Sequence, residues 1–98
     1  MKMAERKVFS VFDVKSELFS PPFYMTSRGE AVRAFKDLAN DANTTVGRHP
    51  SDFKLVYLGL FDEETGQFEN AQQESLGFAI DYVALPSGSI PLGVVKGA

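Results

Sequence analysis

The residues able to perform acid–base or nucleophilic chemistry are few in this chain, and their spacing suits it poorly. His49 is the only histidine among 98 residues, and there is no cysteine. A Ser-His-Asp centre would have to use His49, and a multi-histidine metal site cannot be assembled from one copy. Thiolate zinc sites, iron–sulfur clusters, disulfides and cysteine nucleophiles are excluded. Pro50 biases His49 towards an extended conformation in a polar loop. Asp13, Glu17, Asp37, Asp52 and the run Asp62-Glu63-Glu64 could pair as acid and base. That run falls where a hairpin turn is expected, the usual place for solvated carboxylates, and it lacks the ligand spacing of a calcium loop. Gly29 stands alone in the first turn of a helix, so no glycine-rich phosphate loop precedes it. The expectation is a protein that is not an enzyme and carries no cofactor.

Phosphate neutralisation with base stacking is the second chemistry, and it needs cations and exposed rings on one surface. The N-terminal half offers Arg6, Lys7, Lys15, Arg28, Arg33, Lys36, Arg48 and Lys54, with Phe19, Phe23 and Tyr24 held by Pro21-Pro22. Arg33 and Lys36 are three apart and share a helical face. The expected DNA-binding set is Arg6, Lys7, Lys15, Phe23, Tyr24, Arg28, Arg33, Lys36 and Arg48. The competing reading makes the helix cations a solvated face and puts Phe19 and Phe23 in the core. The formal net charge of −3 argues against nucleic acid, but it is an average. Residues 1–54 hold nine basic and seven acidic side chains, whereas residues 55–98 hold one basic and six acidic. Such a split permits a basic surface on an acidic protein.

The elements that must position these residues follow from apolar periodicity. Residues 8–14 read as a strand with Phe9 and Val11 on one face and Val8, Phe12 and Val14 on the other. Lys15 to Ser20 continue as an irregular edge until the two prolines, which have no N–H to donate, end the ladder. Ser27-Arg28-Gly29-Glu30 fits a capping box, with Ser27 as N-cap and Glu30 reaching back to the Ser27 N–H. The helix is expected over 28–40, with Ala31, Val32, Phe35, Leu38, Ala39 and Ala42 as its buried stripe. Residues 53–61 read as a second strand with Phe53, Leu55, Tyr57 and Phe61 on one face. An acidic turn and the segment Gln67-Phe68-Glu69-Asn70 complete a β-hairpin. After a polar link, Leu76, Phe78, Ile80 and Tyr82 alternate as a last strand.

The expected fold is α+β, one domain over 1–84 of order β-α-β-β-β. Its sheet is rich in antiparallel pairs and has one amphipathic helix on one face. Residues 85–98 contain two prolines and three glycines and are expected to be an irregular tail, with an apolar run over 90–95. One helix cannot cover both faces of such a sheet, so a second copy, as a dimer or higher oligomer, or another partner is expected against the other side. No run approaches the length of a membrane span, and the charged first residues do not read as a signal peptide. No membrane partner is expected, and the absence of cysteine fits a reducing cytoplasm.

Several segments together resemble the small nonstructural protein of gokushoviruses, tailless single-stranded DNA bacteriophages of the microvirus family. They are Val8-Phe9-Ser10-Val11-Phe12-Asp13, Phe19-Ser20-Pro21-Pro22-Phe23 and the helix Gly29-Glu30-Ala31-Val32-Arg33-Ala34-Phe35-Lys36-Asp37-Leu38. Asn43-Thr44-Thr45-Val46, Arg48-His49-Pro50-Ser51-Asp52-Phe53, Gly59-Leu60-Phe61-Asp62 and Ser75-Leu76-Gly77 complete the set, which covers residues 7–80 in order. The resemblance implies a DNA-binding or single-stranded-DNA-synthesis protein in the host cytoplasm. Such a protein acts when the phage shifts from copying duplex DNA to making and packaging single strands, and the phage genome is its partner. It implies no catalytic motif. The alternative is an oligomeric interaction module that recruits the phage replication initiator or the prohead without touching DNA.

Overall fold

The computed structural model describes residues 4–84, so the expected tail over 85–98 lies outside the described residues. The fold is α+β: a five-stranded antiparallel sheet with one main helix, α1 (Arg28–Ala39), packed on one face. Strand β1 (Glu5–Asp13) is central. It pairs on one edge with two short strands, β2 (Leu18–Phe19) and β3 (Phe23–Met25), and on the other with β4 (Phe53–Asp62). The outer strand is β5 (Phe68–Phe78), hairpin-linked to β4. A single helical turn, α2 (Thr45–Arg48), and a 3-10 turn at Pro50–Asp52 lead from α1 into β4.

The prolines act as their chemistry dictates. Pro21 and Pro22 have no N–H for the ladder, so the edge beside β1 is split into β2 and β3 around them. Ser20 bridges the break: its Oγ accepts the Val11 N–H at 3.1 Å, and its carbonyl accepts the Ser10 hydroxyl at 2.7 Å. Thus Ser10, fully buried on a strand, is satisfied. Phe23-Tyr24-Met25 is therefore a strand and not merely a lead-in to the helix.

Two further differences from the sequence expectation have glycine at their root. At the first, Leu58 is an extra residue on β4: Phe9 faces Tyr57 whereas Val8 faces Gly59. Gly59 lies at φ 153°, where a Cβ would meet the Glu69 carbonyl oxygen at 2.2 Å. The bulge moves Phe61 to the face opposite Tyr57, since a one-residue shift exchanges the two faces of a strand. At the second, Gly77 takes φ 115° beneath the Tyr82 ring, and the chain turns out of β5. Residues Ala79–Tyr82 form a 3-10 turn where a strand was expected, and the Asp81 carboxylate accepts the Phe78 N–H at 3.0 Å. The turn carries Ala79 and Tyr82 into the core. Meanwhile the expected hairpin segment and the polar link merge into one long β5.

The core is the layer between α1 and the sheet. Phe9, Ala31, Phe35, Ala39, Leu55 and Ala79 are buried there, with Val11, Phe23, Met25, Phe53, Tyr57 and Tyr82 packed around them. Small alanines on α1 bring the helix close to the sheet, and Phe35 fills the remaining depth, edge-on to Tyr82. Leu38 and Ala42, expected in the buried stripe, are exposed. Leu38 lies at the stripe's margin, and Ala42 follows the Asn40 cap where the helix has already ended.

The Ser27 hydroxyl caps α1 by accepting the Glu30 N–H at 3.2 Å. Glu30 reaches chiefly to Thr26, one residue beyond the expected Ser27. It accepts the Thr26 N–H at 2.9 Å and its hydroxyl in a short bond. Ser27→Ala is expected to cost about 1 kcal/mol in urea denaturation. The Thr26 hydroxyl and N–H hold the Glu30 carboxyl below its ordinary value of 4.5. The Lys15 N–H lowers Asp13 in the same way, and the Arg28 side chain lowers Glu74. A depressed carboxyl contributes stability that is complete above its unfolded value and lost as pH falls through the folded one. The melting temperature should accordingly fall on acidification below about pH 4.5, and Glu30→Gln should flatten that fall.

Candidate nucleic-acid interface

The structure divides the nine expected residues among several surfaces. Arg33 and Lys36 are exposed on the solvent side of α1, outside its buried stripe. Arg28 leans over the Tyr57 ring at 4.7 Å and pairs with Glu74 at 2.8 Å, which raises its own pKa. Lys15 sits in the exposed turn after β1, and the Arg48 guanidinium reaches the Ala42 carbonyl at 3.4 Å. Lys7 faces Leu60 and Met25 in register, on the helix side of the sheet. Phe23 is half-buried and stacks on Phe9 at 5.9 Å, so it serves the core. Arg6 and Tyr24 remain on the opposite face of the sheet, Arg6 opposite Phe61 and Tyr24 opposite Val8.

That opposite face concentrates aromatic rings. Alternation along β1 puts Arg6, Val8, Ser10 and Phe12 there, and their cross-strand partners follow. Tyr24, Phe61 and Phe68 form one group, with Phe61 5.4 Å from Tyr24 and 4.9 Å from Phe68. Phe12 and Phe19 form a second, 4.7 Å apart, and the Lys54 ammonium stands 5.5 Å from Phe12 and 5.9 Å from Phe78. Val8 and Phe12 are four residues apart on β1, which separates the groups by about 13 Å. Between them Val56 is buried in the sheet surface, and a shallow hollow is lined by Phe12, Phe19, Lys54, Val56, Gln73 and Ser75. Phe68 is 59% exposed, Phe19 44% and Tyr24 41%.

Charge is sorted between the two faces. Glu5, Asp13, Asp62, Glu69 and Glu74 all pair in register with residues of the helix side. Lys54 and Arg6 lie on the aromatic side, and the nearby carboxylate there is Glu63, 3.1 Å from Arg6. The acidic run expected to be a turn is one: Asp62 is buried and accepts the Glu64 N–H at 2.9 Å.

A family profile described as Phage ORF5 protein matches residues 6–82, from β1 through the turn after β5. The chain belongs to the phage ORF5 protein family. The match takes in both faces of the sheet and agrees with the gokushovirus resemblance over residues 7–80. Protein ORF5 of Chlamydia phage 1, a gokushovirus, is 30% identical over 64 residues, which span 61% of this chain and 67% of that relative. No solved structure matches the chain. Among the described residues of this ORF5 family member, no helix is long and apolar enough to cross a membrane.

Sequence reasoning did not place Phe12, Phe61, Phe68 and Phe78 on the candidate surface, and it counted Lys54 only as one cation among eight. Their signal was present in part. Phe12 alternates with core residues on β1, and Phe68 opens the strand after an acidic turn. Phe61 and Phe78 depend on the bulge and the glycine bend, which periodicity alone does not reveal.

Proposed function

We propose that this ORF5 protein is a non-enzymatic phage protein that binds single-stranded DNA on the aromatic face of its sheet. It acts in the host cytoplasm and assists the switch from duplex replication to single-strand synthesis and packaging. The observation that carries this reading is the pair of aromatic groups with Lys54 standing over the Phe12 and Phe78 rings, on a face free of strand carboxylates. Exposed rings stack unpaired bases of any identity, whereas the bases of a duplex are already stacked on one another. A cation beside a ring serves phosphate and base together.

Among the described strand residues, Lys54 and Arg6 are the cations of this face, and Arg6 is shared with Glu63, so one copy neutralises few phosphates. Binding by a single copy is therefore weak, and a homo-oligomer that aligns two faces along one strand strengthens it by raising the local concentration. A salt-titrated anisotropy measurement with single- and double-stranded oligonucleotides, read alongside mass, tests this reading. Single strands should bind more tightly, with affinity falling as salt rises, and Lys54→Ala should reduce the salt slope by about 1.

A second reading is favoured by the exposure of Phe68, Phe19 and Tyr24, since exposed apolar rings also suit protein contact. In it the oligomer recruits phage replication or assembly proteins without touching DNA. Stable oligomers that ignore oligonucleotides at low salt would select it.

A further inference from the structure

The hollow between the two aromatic groups is more polar on one wall than stacking alone requires. It measures about 420 Å³, within the range of small-ligand sites, roughly 300–1,000 Å³. Val56, 3% exposed, is its floor, and the Phe12 and Phe19 rings stand on the β1 side. Lys54 lies two residues from Val56 on β4, at one end of the hollow. On the β5 side Ser75 pairs with Val56 in register, and Gln73 stands two residues before it.

Rings, floor and cation are enough to hold any unpaired base. The β5 wall adds hydrogen bonding. The Ser75 hydroxyl already accepts the Gly77 N–H at 3.4 Å. Gln73 is exposed, and its side-chain amide makes no hydrogen bond among the described residues, so its donor and its acceptor are both open. Lys54 offers donors alone, and no carboxylate of the described residues pairs with it. Base edges differ in how they answer that set. On the edge used for base pairing, thymine shows O2 as acceptor, N3–H as donor and O4 as acceptor. Cytosine shows O2 and N3 as acceptors and its amino group as donor. A glutamine amide, turned one way or the other, pairs with positions 3 and 4 of either, while an ammonium donates to O2. Adenine has a C–H where the pyrimidines have O2. Guanine has an amino group there, which meets the cation donor to donor.

We infer, on the basis of the nucleic-acid reading, that this hollow is a pyrimidine subsite of the aromatic face. The base stacks on Phe12 and Phe19 over Val56. The Gln73 amide hydrogen-bonds its position-3 and position-4 groups, and the Lys54 ammonium donates to O2. Stacking supplies affinity for any single strand, and Gln73 with Lys54 supplies the preference among bases.

The test is an anisotropy titration of the full chain at low salt with oligothymidylate, oligodeoxycytidylate and oligodeoxyadenylate of equal length. Both pyrimidine strands should bind at least about fivefold more tightly than the adenine strand. Adenine strands also lose affinity by stacking on themselves, so the deciding comparison is with Gln73→Ala. Gln73 is exposed, and this substitution should leave the melting temperature unchanged. It should weaken the two pyrimidine strands and bring their advantage below about twofold, with the affinity for the adenine strand unmoved. Equal affinities for the three strands in the unaltered chain, or an advantage that survives Gln73→Ala, would overturn the inference while the nucleic-acid reading stands. Binding of none of the three strands would overturn both.

Discussion

Phe68→Ala is expected to weaken single-stranded DNA binding by about 1–3 kcal/mol, roughly 5- to 150-fold, while leaving the fold intact. The two parts of this expectation have different origins. Phe68 begins β5 at the sheet edge and is 59% exposed, so its removal leaves no buried cavity. Its ring contacts are Phe61 and, more distantly, Tyr24. Both partners keep other anchors, through pairing of β4 and β3 with β1. Affinity, by contrast, loses a stacking surface at the end of the first aromatic group. Phe68→Tyr should retain most of the binding, since it keeps the ring. Anisotropy titration with a short oligothymidylate, beside a thermal melt, separates affinity from stability. A large fall in melting temperature with unchanged affinity would assign Phe68 to the fold instead.

Phe35→Ala carries the largest expected cost in stability, about 3–5 kcal/mol. Phe35 is 1% exposed at the centre of the layer that joins α1 to the sheet, touching the Tyr82 ring edge-on. Its neighbours on α1 are Ala31 and Ala39, whose short side chains cannot fill the space it leaves. Small domains hold about 5–15 kcal/mol in all, so this substitution removes a large share. The melting temperature should fall by at least about 12 °C. An unchanged urea midpoint would mean that α1 is not held by this layer.

What the sequence disclosed and what it withheld divide along physical lines. The α1 helix was legible because Ser27 and Glu30 mark its start locally and the apolar period marks its face. The α+β class followed from β1, α1 and β4, each a long segment with clear patterning. The edge β2–β3 was harder to read, since its strands are two and three residues long and are ordered by the Ser10–Ser20 bridge across the prolines. The face of Phe61 was hidden because a bulge at Leu58 is set by pairing with β1, a non-local event. The same limit applied to the candidate surface. Cations close in sequence, such as Arg28, Arg33 and Lys36, were easily grouped, whereas Phe12, Lys54 and Phe78 meet only through strand register.

This sorting also resolves the acidic balance of the chain. The carboxylates of β1, β4 and β5 share the helix side, and the Tyr24, Phe61, Phe68, Phe12, Phe19 and Phe78 rings occupy the other. Two of the cations once grouped together, Arg33 and Lys36, stand on the outer side of α1 and belong to a different surface.

The most direct measurement of the central claim is a nuclear magnetic resonance titration of the full chain with a short oligothymidylate, following aromatic side chains and backbone amides together. The predicted result is saturating shifts of the Phe12, Phe19, Tyr24, Phe61, Phe68 and Phe78 ring signals, with the amides of Arg33 and Lys36 unmoved. Shifts confined to α1, or no shifts at low salt, would contradict it.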